Sequence, residues 1–318
     1  MKVFVAGATG VIGSRLLPRL LEDGHVLLGM TRSARRADRV RSLGAEPVVA
    51  DVLDRARLEE AINEVEPEVI VNQVTSLPQR LDPRQVRRDL AATNRLRREG
   101  MRNLVAAARA AGVRQIVSQS IAFAYAPNGP APAAEDEPLY LDAPGGFDEA
   151  VAAIVDLEQA VLNAPAVEGI VLRYGHLYGP GTVYSRSGST IEDVRRRKFP
   201  LVGNGEGHFS FIHVDDVAAA TARAIAHGRP GIYNVVDDEP VPVKEWLPWL
   251  ADLLSAPAPL RLPRFIGWLG AGAFGVHMMT RQRGASNQKA KESFGWVPIY
   301  PTWRDGFRSE LGADFSEE

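Results

Sequence analysis

The sequence predicts an α/β fold, a doubly wound parallel sheet followed by a smaller, mostly helical C-terminal lobe. Apolar strand-like runs alternate with helical patterns as far as residue 236, which is typical of a parallel sheet covered on both faces. A glycine-rich turn joins the first apolar run to the first helical pattern. From about Val241 tryptophans and prolines become frequent and strand signals weaken. Together these observations indicate a Rossmann-type domain with an appended lobe.

The glycine-rich turn is the most informative segment. A buried strand is predicted at residues 3–6, and an amphipathic helix at residues 14–22. Between them Gly7, Gly10 and Gly13 recur at a spacing of three. A tight turn needs positive φ at the first glycine, bare backbone at the second lets a diphosphate approach, and the third lets helix and strand pack closely. The helix N-terminus then offers amide protons to phosphates, so this segment predicts dinucleotide binding.

The rest of the sheet follows from similar runs. Further strands are predicted at His25–Thr31, Pro47–Ala50, Val69–Val74, Gln115–Ser118, Ile170–Tyr174 and Gly231–Val236. A long helix is predicted from about Leu90 to Ala111, and a Pro- and Gly-rich loop from Pro127 to Gly146. The Rossmann domain would comprise residues 1–173 and about 208–236, and the substrate lobe about 174–207 and 237–318. In that lobe, Phe265–Met279 is too short and glycine-rich to span a bilayer, and predicts a packed helix, a hairpin or an apolar pocket wall.

Composition excludes several classes of protein. The 318 residues are 45% hydrophobic, enough for a sizeable core, and the net charge of −2 gives no electrostatic reason to bind nucleic acid or an anionic membrane. The absence of cysteine excludes disulfides and thiol catalysis. No metal is expected, because the six histidines show no metal-ligand spacing. No signal peptide fits the first apolar run, so a cytoplasmic protein is expected.

Two further segments predict how the adenosine half would bind. Arg32 follows the second strand, where an NAD-specific site usually has an acidic residue on the ribose 2′-hydroxyl. With Arg35 and Arg36 behind it, this position predicts a 2′-phosphate and therefore NADP(H), although a solvated arginine-rich face has the same pattern and NAD is not excluded. Asp51 and Val52 follow the third strand, where they could hold adenine. In an alternative interpretation, which can hold together with this one, Asp51 and Val52 cap a helix at Asp54–Ala61.

Several motifs occur together in this order. They are the glycine segment Gly7–Gly13, Asp51-Val52, Asn94, Ser118-Gln119-Ser120, Arg173-Tyr174-Gly175-His176-Leu177-Tyr178-Gly179-Pro180-Gly181, Phe211-Ile212-His213-Val214-Asp215-Asp216-Val217, Ser286–Lys291 and Gly295-Trp296-Val297-Pro298. The chain thereby resembles the extended short-chain dehydrogenase/reductases of the NAD-dependent epimerase/dehydratase type. The resemblance covers nearly the whole chain but indicates no particular substrate. It implies cofactor contacts from Gly7, Thr9, Gly10, Val11, Ile12, Gly13, Arg32, Arg36, Asp51, Val52, Asn94 and Tyr174.

One feature of that family is missing. Its members normally use a Tyr-x-x-x-Lys pair on one helix face, in which tyrosine moves the proton that accompanies hydride transfer and lysine binds the nicotinamide ribose. With Glu158 aligned to the acidic residue that usually follows, Ala150 and Ile154 occupy the two positions. Whatever the register, no tyrosine here is followed four positions later by lysine, and no lysine lies between Lys2 and Lys198. The sequence therefore indicates an atypical member.

Four residues are candidates for the catalytic role. Ser120 ends the fifth strand, near where the family places a hydroxyl on its substrate, and could equally bond backbone. Tyr125 could donate a proton or anchor a loop. His176 and Tyr178 follow the sixth strand, and a histidine there is expected to keep a pKa near 6.5, suited to acid–base chemistry. His213 and Asp215 are expected to brace the next helix, with Asp215 or Asp216 as its N-cap.

The residues leave the function open between classes. The chain could be an NADP(H)-dependent oxidoreductase acting on a small carbonyl or related metabolite with a non-standard proton donor. It could also be a catalytically silent NADP(H) sensor or scaffold, or an isomerase or lyase that does not consume its cofactor. The complete C-terminal lobe favours an enzyme with a small-molecule substrate. The resemblance further implies a homodimer formed through the helices at 90–111 and 150–162.

Overall fold

The computed structural model describes residues 1–129 and 131–312. Its centre is a seven-stranded parallel sheet. The strands are β1 (Lys2–Ala6), β2 (Val26–Thr31), β3 (Glu46–Val49), β4 (Val69–Asn72), β5 (Gln115–Ile121), β6 (Glu168–Tyr174) and β11 (Gly231–Val235). They lie in the order β3-β2-β1-β4-β5-β6-β11. Strand order reverses between β1 and β4, so the predicted doubly wound Rossmann-type sheet is confirmed, and ligands are expected at this switch point.

Helices cover both faces of the sheet. They are α1 (Gly13–Glu22), α2 (Ala37–Ser42), α3 (Arg55–Val65), α4 (Val86–Arg95), α5 (Met101–Ala110), α6 (Asp148–Leu162) and α8 (Val214–His227). Apolar side chains of α1 and α8 pack on one face, and those of α3, α5 and α6 pack on the other. The predicted helix 90–111 begins earlier, at Val86, and a π-helical turn (Leu96–Gly100) separates α4 from α5.

The C-terminal half adds short strands and helices around a second apolar cluster. These elements are β7 (His176–Tyr178), α7 (Ser189–Arg195), β8 (Leu201–Val202), β9 (His208–Phe209), β10 (Phe211–His213), β12 (Val241–Pro242), α9 (Val243–Leu253), β13 (Arg261–Leu262), α10 (Arg264–Thr280), α11 (Gln288–Phe294) and α12 (Trp303–Leu311). The lobe is mostly helical, as predicted. Phe294 and Trp296 lie in the core of the sheet domain, so this late segment joins the two parts.

The apolar segment at 265–279 forms the helix α10. A kink at Gly272, where φ is +65°, divides it. Beyond the kink Phe274 and Met278 are buried, whereas Phe265 and Trp268 before it are exposed. Only the second half is therefore the packed helix expected. Among the described residues, no helix is long and apolar enough to cross a membrane.

Neither predicted cap is the residue that caps its helix. The cap of α3 is Asp54, whose Oδ1 accepts the Arg57 amide proton at 3.2 Å, whereas Asp51 Oδ1 accepts the Leu53 amide proton. The cap of α8 is not Asp215 or Asp216 but His213, whose Nδ1 accepts the Asp215 amide proton at 3.2 Å. Both aspartates lie inside the first turn of α8, where a carboxylate still faces the positive end of the helix dipole.

Candidate functional site

The glycine turn has the backbone that its sequence predicts. Gly7 adopts φ +86°, and a Cβ there would lie 2.7 Å from the carbonyl oxygen of Gln73. At Gly13 a Cβ would lie 2.3 Å from the Gly7 carbonyl oxygen, so only glycine lets α1 start this close to β1. The Gly10 amide donates to the Gly7 oxygen at 3.0 Å, which closes the turn. The loop is therefore a backbone cradle that side chains at Gly7 and Gly13 would fill.

The cradle also presents free donors. No acceptor within residues 1–129 and 131–312 takes the amide protons of Val11 and Ile12. These amides lie at the N-terminus of α1, where backbone N–H groups and the helix dipole attract anions. The free amides fit the diphosphate of a dinucleotide. A cavity of about 770 Å³ borders Gly10 and Val11, but it extends along α1 and α8 and does not border Arg32 or Asp51.

Residues expected to hold the adenosine half lie at the ends of β2 and β3. Arg32 and Arg36 are exposed and have no ion pair with a described residue. Asp51 is half-buried, and its Oδ1 accepts the Leu53 amide proton at 2.9 Å, which fixes the turn after β3. Val52 is buried, and its carbonyl accepts a hydrogen bond from Asn103 at 2.8 Å. Both arginines are thus available to a 2′-phosphate, while the Asp51 turn is held rigid.

Tyr174 was predicted to contact the cofactor, but its hydroxyl lies inside the protein. It accepts a hydrogen bond from Gln73 Nε2 at 2.9 Å and pairs with Thr221 Oγ1 at 2.9 Å. Burial raises the pKa of this phenol to about 12. Both sides of the hydroxyl are already bonded, so this group braces the end of β6 and is not free to bind a cofactor.

Ser120 and Tyr125 belong to one buried polar network. Ser120 Oγ donates to Glu158 Oε1 at 2.7 Å, and Arg173 donates to both oxygens of Glu158 at 2.8 and 2.7 Å. Arg173 Nη1 also donates to the Tyr125 hydroxyl at 2.8 Å, which in turn donates to Asn234 Oδ1 at 2.7 Å. Every member is at least 96% buried. The network ties β5, β6, β11 and α6 together at the carboxyl end of the sheet.

This network leaves neither hydroxyl open to a substrate. Ser120 faces Glu158, and Tyr125 is saturated by Arg173 and Asn234. Burial raises the pKa of Tyr125 above that of a free phenol, which disfavours the tyrosinate. Both residues therefore have the structural roles given as alternatives in the sequence analysis. Ser120 makes a hydrogen bond within the protein at the end of β5, and Tyr125 anchors the loop that follows.

His176 lies in a column of aromatic rings. Its ring stacks on Phe123 with centroids 4.4 Å apart and on Phe209 at 4.1 Å. Gln282 Nε2 lies 3.0 Å from His176 Nε2 and 2.9 Å from the His208 carbonyl oxygen. Because that amide nitrogen can only donate, His176 Nε2 must accept and the ring is neutral.

The predicted pKa of His176 was wrong. Burial among these rings lowers its pKa to about 3, not the value near 6.5 that was expected. A cationic ring would lose hydration and would place a second N–H against the Gln282 amide group. At neutral pH His176 is therefore an uncharged ring packed among aromatic side chains, and its Nε2 carries no proton that could be transferred.

Tyr178 is a core residue. Its ring is fully buried against Phe211 and Phe307, with centroids 6.2 and 4.6 Å away. Its hydroxyl has no partner among the described residues, and burial raises its pKa far above that of a free phenol. The packed side chains leave no path by which a proton could pass between the Tyr178 hydroxyl and a substrate or solvent.

The two positions aligned with the missing Tyr-Lys pair are apolar and fully buried. Ala150 and Ile154 have no exposed surface and lie in the second apolar cluster. Beside them Phe147 packs on Phe274 at 4.8 Å and faces Phe123 at 6.5 Å. An apolar, aromatic surface therefore occupies the region in which the resemblance implies an acid–base pair.

A second cavity of about 310 Å³ opens on the C-terminal lobe. It is bordered by Asn128 and Gly129 of the long loop, and by His208 and Gln282. Gln282 is the same residue that holds His176, so this cavity adjoins the aromatic column. Among the described residues, no group of three or more His, Asp or Glu could hold a metal ion.

Three important residues were missed from the sequence. No sequence pattern marked Gln282, because it lies far from His176 in the sequence and only the tertiary fold brings the two side chains together. Arg173 was noted within a motif but not as the partner of Glu158. Arg97, which is 9% exposed, could have been found, since it follows the buried residues Leu90 and Asn94 at helical spacing.

Comparison with known proteins supports the geometry. The family model for the NAD dependent epimerase/dehydratase family matches residues 3–235. A curated relative from a Streptomyces species, a 3-diazoavenalumate denitrifying reductase, is 46% identical over 98% of this chain and 100% of its own length.

Solved structures match over the same extent. The UDP-glucose 4-epimerase of Thermotoga maritima with UDP-glucose gives a TM-score of 0.77 at 20% identity, covering 98% of each chain. The Bordetella bronchiseptica enzyme WbmG in complex with NAD gives 0.74 at 22% identity, covering 98% of this chain and 93% of its own. At these identities the likeness shows a shared fold.

Proposed function

Because the chain belongs to the NAD-dependent epimerase/dehydratase family, we propose that it is a nicotinamide-dependent reductase that removes a diazo group from a small molecule as dinitrogen. The observation that carries this proposal is the 46% identity to the diazo denitrifying reductase over 98% of the chain. It also accounts for an otherwise puzzling site. The usual proton-transfer pair is missing from the sequence, yet the glycine cradle is intact.

The chemistry of such a reaction explains why the pair is dispensable. When bound, a reduced nicotinamide supplies a hydride, and for a diazonium substrate R–N₂⁺ plus hydride gives R–H plus N₂. The new C–H bond takes the hydride pair, while the broken C–N bond leaves its electrons on dinitrogen. Carbonyl reduction places a proton on the developing alkoxide, which is what a tyrosine supplies. Dinitrogen leaves without taking up a proton. The reaction therefore needs no proton donor at the two positions that Ala150 and Ile154 occupy.

The apolar surface of this site suits a water-sensitive substrate. Water competes with hydride for a diazonium carbon, and the buried surface around Ala150, Ile154 and Phe147 would exclude it. The neutral ring of His176 adds no positive charge beside the substrate.

The cofactor choice proposed is NADP(H), with NAD(H) as the alternative. The support is Arg32, an exposed guanidinium at the end of β2, with Arg36 nearby. A guanidinium can bind a 2′-phosphate through two parallel hydrogen bonds. Gly7, Thr9, Gly10, Val11, Ile12 and Gly13 would hold the diphosphate.

Turnover assays on three substrate classes test the function. The protein with NADPH is offered an aromatic diazo compound, a ketone of similar size and a nucleotide sugar. We expect nicotinamide oxidation with the diazo compound and none with the others. Oxidation with the ketone alone would replace the proposal by carbonyl reduction. Tight NADPH binding without turnover of any compound would support the silent sensor instead.

The expected homodimer stays a proposal as well. Helices α4 and α6 pack together, and their outer faces would form a four-helix interface. Sedimentation velocity on the purified protein tests this, with a single species of twice the chain mass expected.

A further inference from the structure

A buried cation lies at the junction of α4, the π-helical turn and α6. Arg97 is 9% exposed, and its Nη1 donates to Asn94 Oδ1 at 3.4 Å. A guanidinium has five N–H donors, and this is the single hydrogen bond it makes with the described residues. Burial lowers the pKa of Arg97 to about 10, against the opposing attraction of Glu158, so the group remains charged at neutral pH.

The carboxylate of Glu158, whose charge attracts Arg97, already accepts hydrogen bonds from other residues. Glu158 accepts from Ser120 at Oε1, and from Arg173 at both oxygens. With one carboxylate and two guanidiniums, the cluster of Glu158, Arg173 and Arg97 carries a net charge of +1. The two other nitrogens of the Arg97 guanidinium, Nε and Nη2, make no hydrogen bond with the described residues, and they are not among the atoms shut off from solvent. They are therefore free to donate to a polar or anionic ligand.

The position of Arg97 relative to the glycine cradle indicates which ligand. If the cradle beyond β1 holds the diphosphate and Arg32 beyond β2 binds the adenosine half, the other half would lie on the side of β4, β5 and β6. Ser76, just after β4, donates its amide proton to Thr93 Oγ1 at 3.1 Å, which places this end of α4 at that edge. Ser120 and Glu158 mark the same edge at β5.

We propose that Arg97 is the cation that binds the ribose on the nicotinamide side of the dinucleotide, in place of the lysine that Ile154 has replaced. The guanidinium comes from a different element, the π-helical turn that follows α4. Its unused donors would bond the ribose hydroxyls, while Asn94 orients the guanidinium plane. The inference rests on the proposed dinucleotide but does not depend on the diazo substrate.

Binding measurements with whole and truncated ligands test this role without any substrate. Affinities for NADPH, and for adenosine 2′,5′-bisphosphate, which lacks that ribose, are measured by calorimetry. For Arg97→Leu we expect NADPH binding to weaken by about tenfold or more, as for a lost hydrogen bond from a charged donor, with the bisphosphate within twofold. Arg97→Lys should recover much of the loss. NADH and ADP serve in the same way if the protein prefers NAD(H).

Arg98→Leu is the matched control. Arg98 is the next residue of the same turn, but its side chain is 38% exposed and pairs with Asp156 at 2.7 Å. Its loss should change neither affinity. Thermal unfolding confirms that each variant is folded.

The outcomes separate the two proposals. Equal affinities of Arg97→Leu and the unmodified protein for NADPH would overturn the role of Arg97, as would an equal loss for NADPH and the bisphosphate. Normal NADPH binding without diazo turnover would remove the reductase and leave Arg97 in place. No dinucleotide binding by the unmodified protein would overturn both.

Discussion

Replacement of His176 by glutamine should remove part of the acid sensitivity of the fold. The pKa of His176 is lowered to about 3 by burial, against about 6.5 for a free histidine. In the folded protein the ring therefore resists protonation, while the unfolded chain takes up a proton below pH 6.5. Stability from this group is complete above pH 6.5 and is lost as the pH falls toward 3.

The size of the effect follows from the two pKa values. Between pH 7 and pH 5 the unfolded histidine gains most of a proton and the folded one almost none, which costs about 2 kcal/mol of unfolding free energy. The buried His277, with a pKa lowered to about 4, adds a separate loss of similar size in both proteins. The difference between the unmodified protein and His176→Gln isolates His176.

Urea unfolding at the two pH values measures this difference. The unmodified protein should lose about 2 kcal/mol more than His176→Gln on going from pH 7 to pH 5. His227→Gln, at an exposed helix end, is the control and should lose as much as the unmodified protein. Equal losses for His176→Gln and the unmodified protein would refute the neutral, aromatic environment assigned to His176.

Three further changes test other parts of the account. Arg32→Ala should erase a preference for NADP(H) over NAD(H) of at least about tenfold, or 1.4 kcal/mol, in calorimetric titrations; equal affinities before mutation would exclude the 2′-phosphate site. Glu158→Gln should lower the urea unfolding free energy by about 3–5 kcal/mol, because it leaves Arg173 buried without its carboxylate; a loss below about 1 kcal/mol would mean that the network is not closed. Gly13→Ala, whose Cβ would lie 2.3 Å from the Gly7 oxygen, should abolish dinucleotide binding in fluorescence titrations; retained binding would show that the turn tolerates a side chain.

The fold was predictable because its signals are local. Each strand of the central sheet gave a short apolar run between turn residues, and the glycine spacing fixed the first βα turn. The kink at Gly272 and the π-helical turn at Leu96–Gly100 were not predicted, since both depend on neighbouring elements. The cap of α8 was misassigned because His213 competes with two aspartates that are better caps by propensity.

The candidate site was predictable only in part. The glycine cradle follows from sequence, because it consists of backbone. The chemistry of His176 did not, since its low pKa comes from Phe123, Phe209 and Gln282, which are distant in sequence. The hydroxyls of Ser120, Tyr125, Tyr174 and Tyr178 had suitable positions along the chain. Their directions depend on buried partners that no local pattern reveals.

The most direct test of the proposed reaction follows nitrogen and hydride together. The protein is given an aromatic diazo compound labelled with ¹⁵N and NADPH carrying deuterium at the transferable position of its nicotinamide. We predict labelled dinitrogen and oxidised nicotinamide in equal amounts, with deuterium on the carbon that carried the diazo group. A product that retains nitrogen, or that takes its hydrogen from water while NADPH is unchanged, would contradict the account.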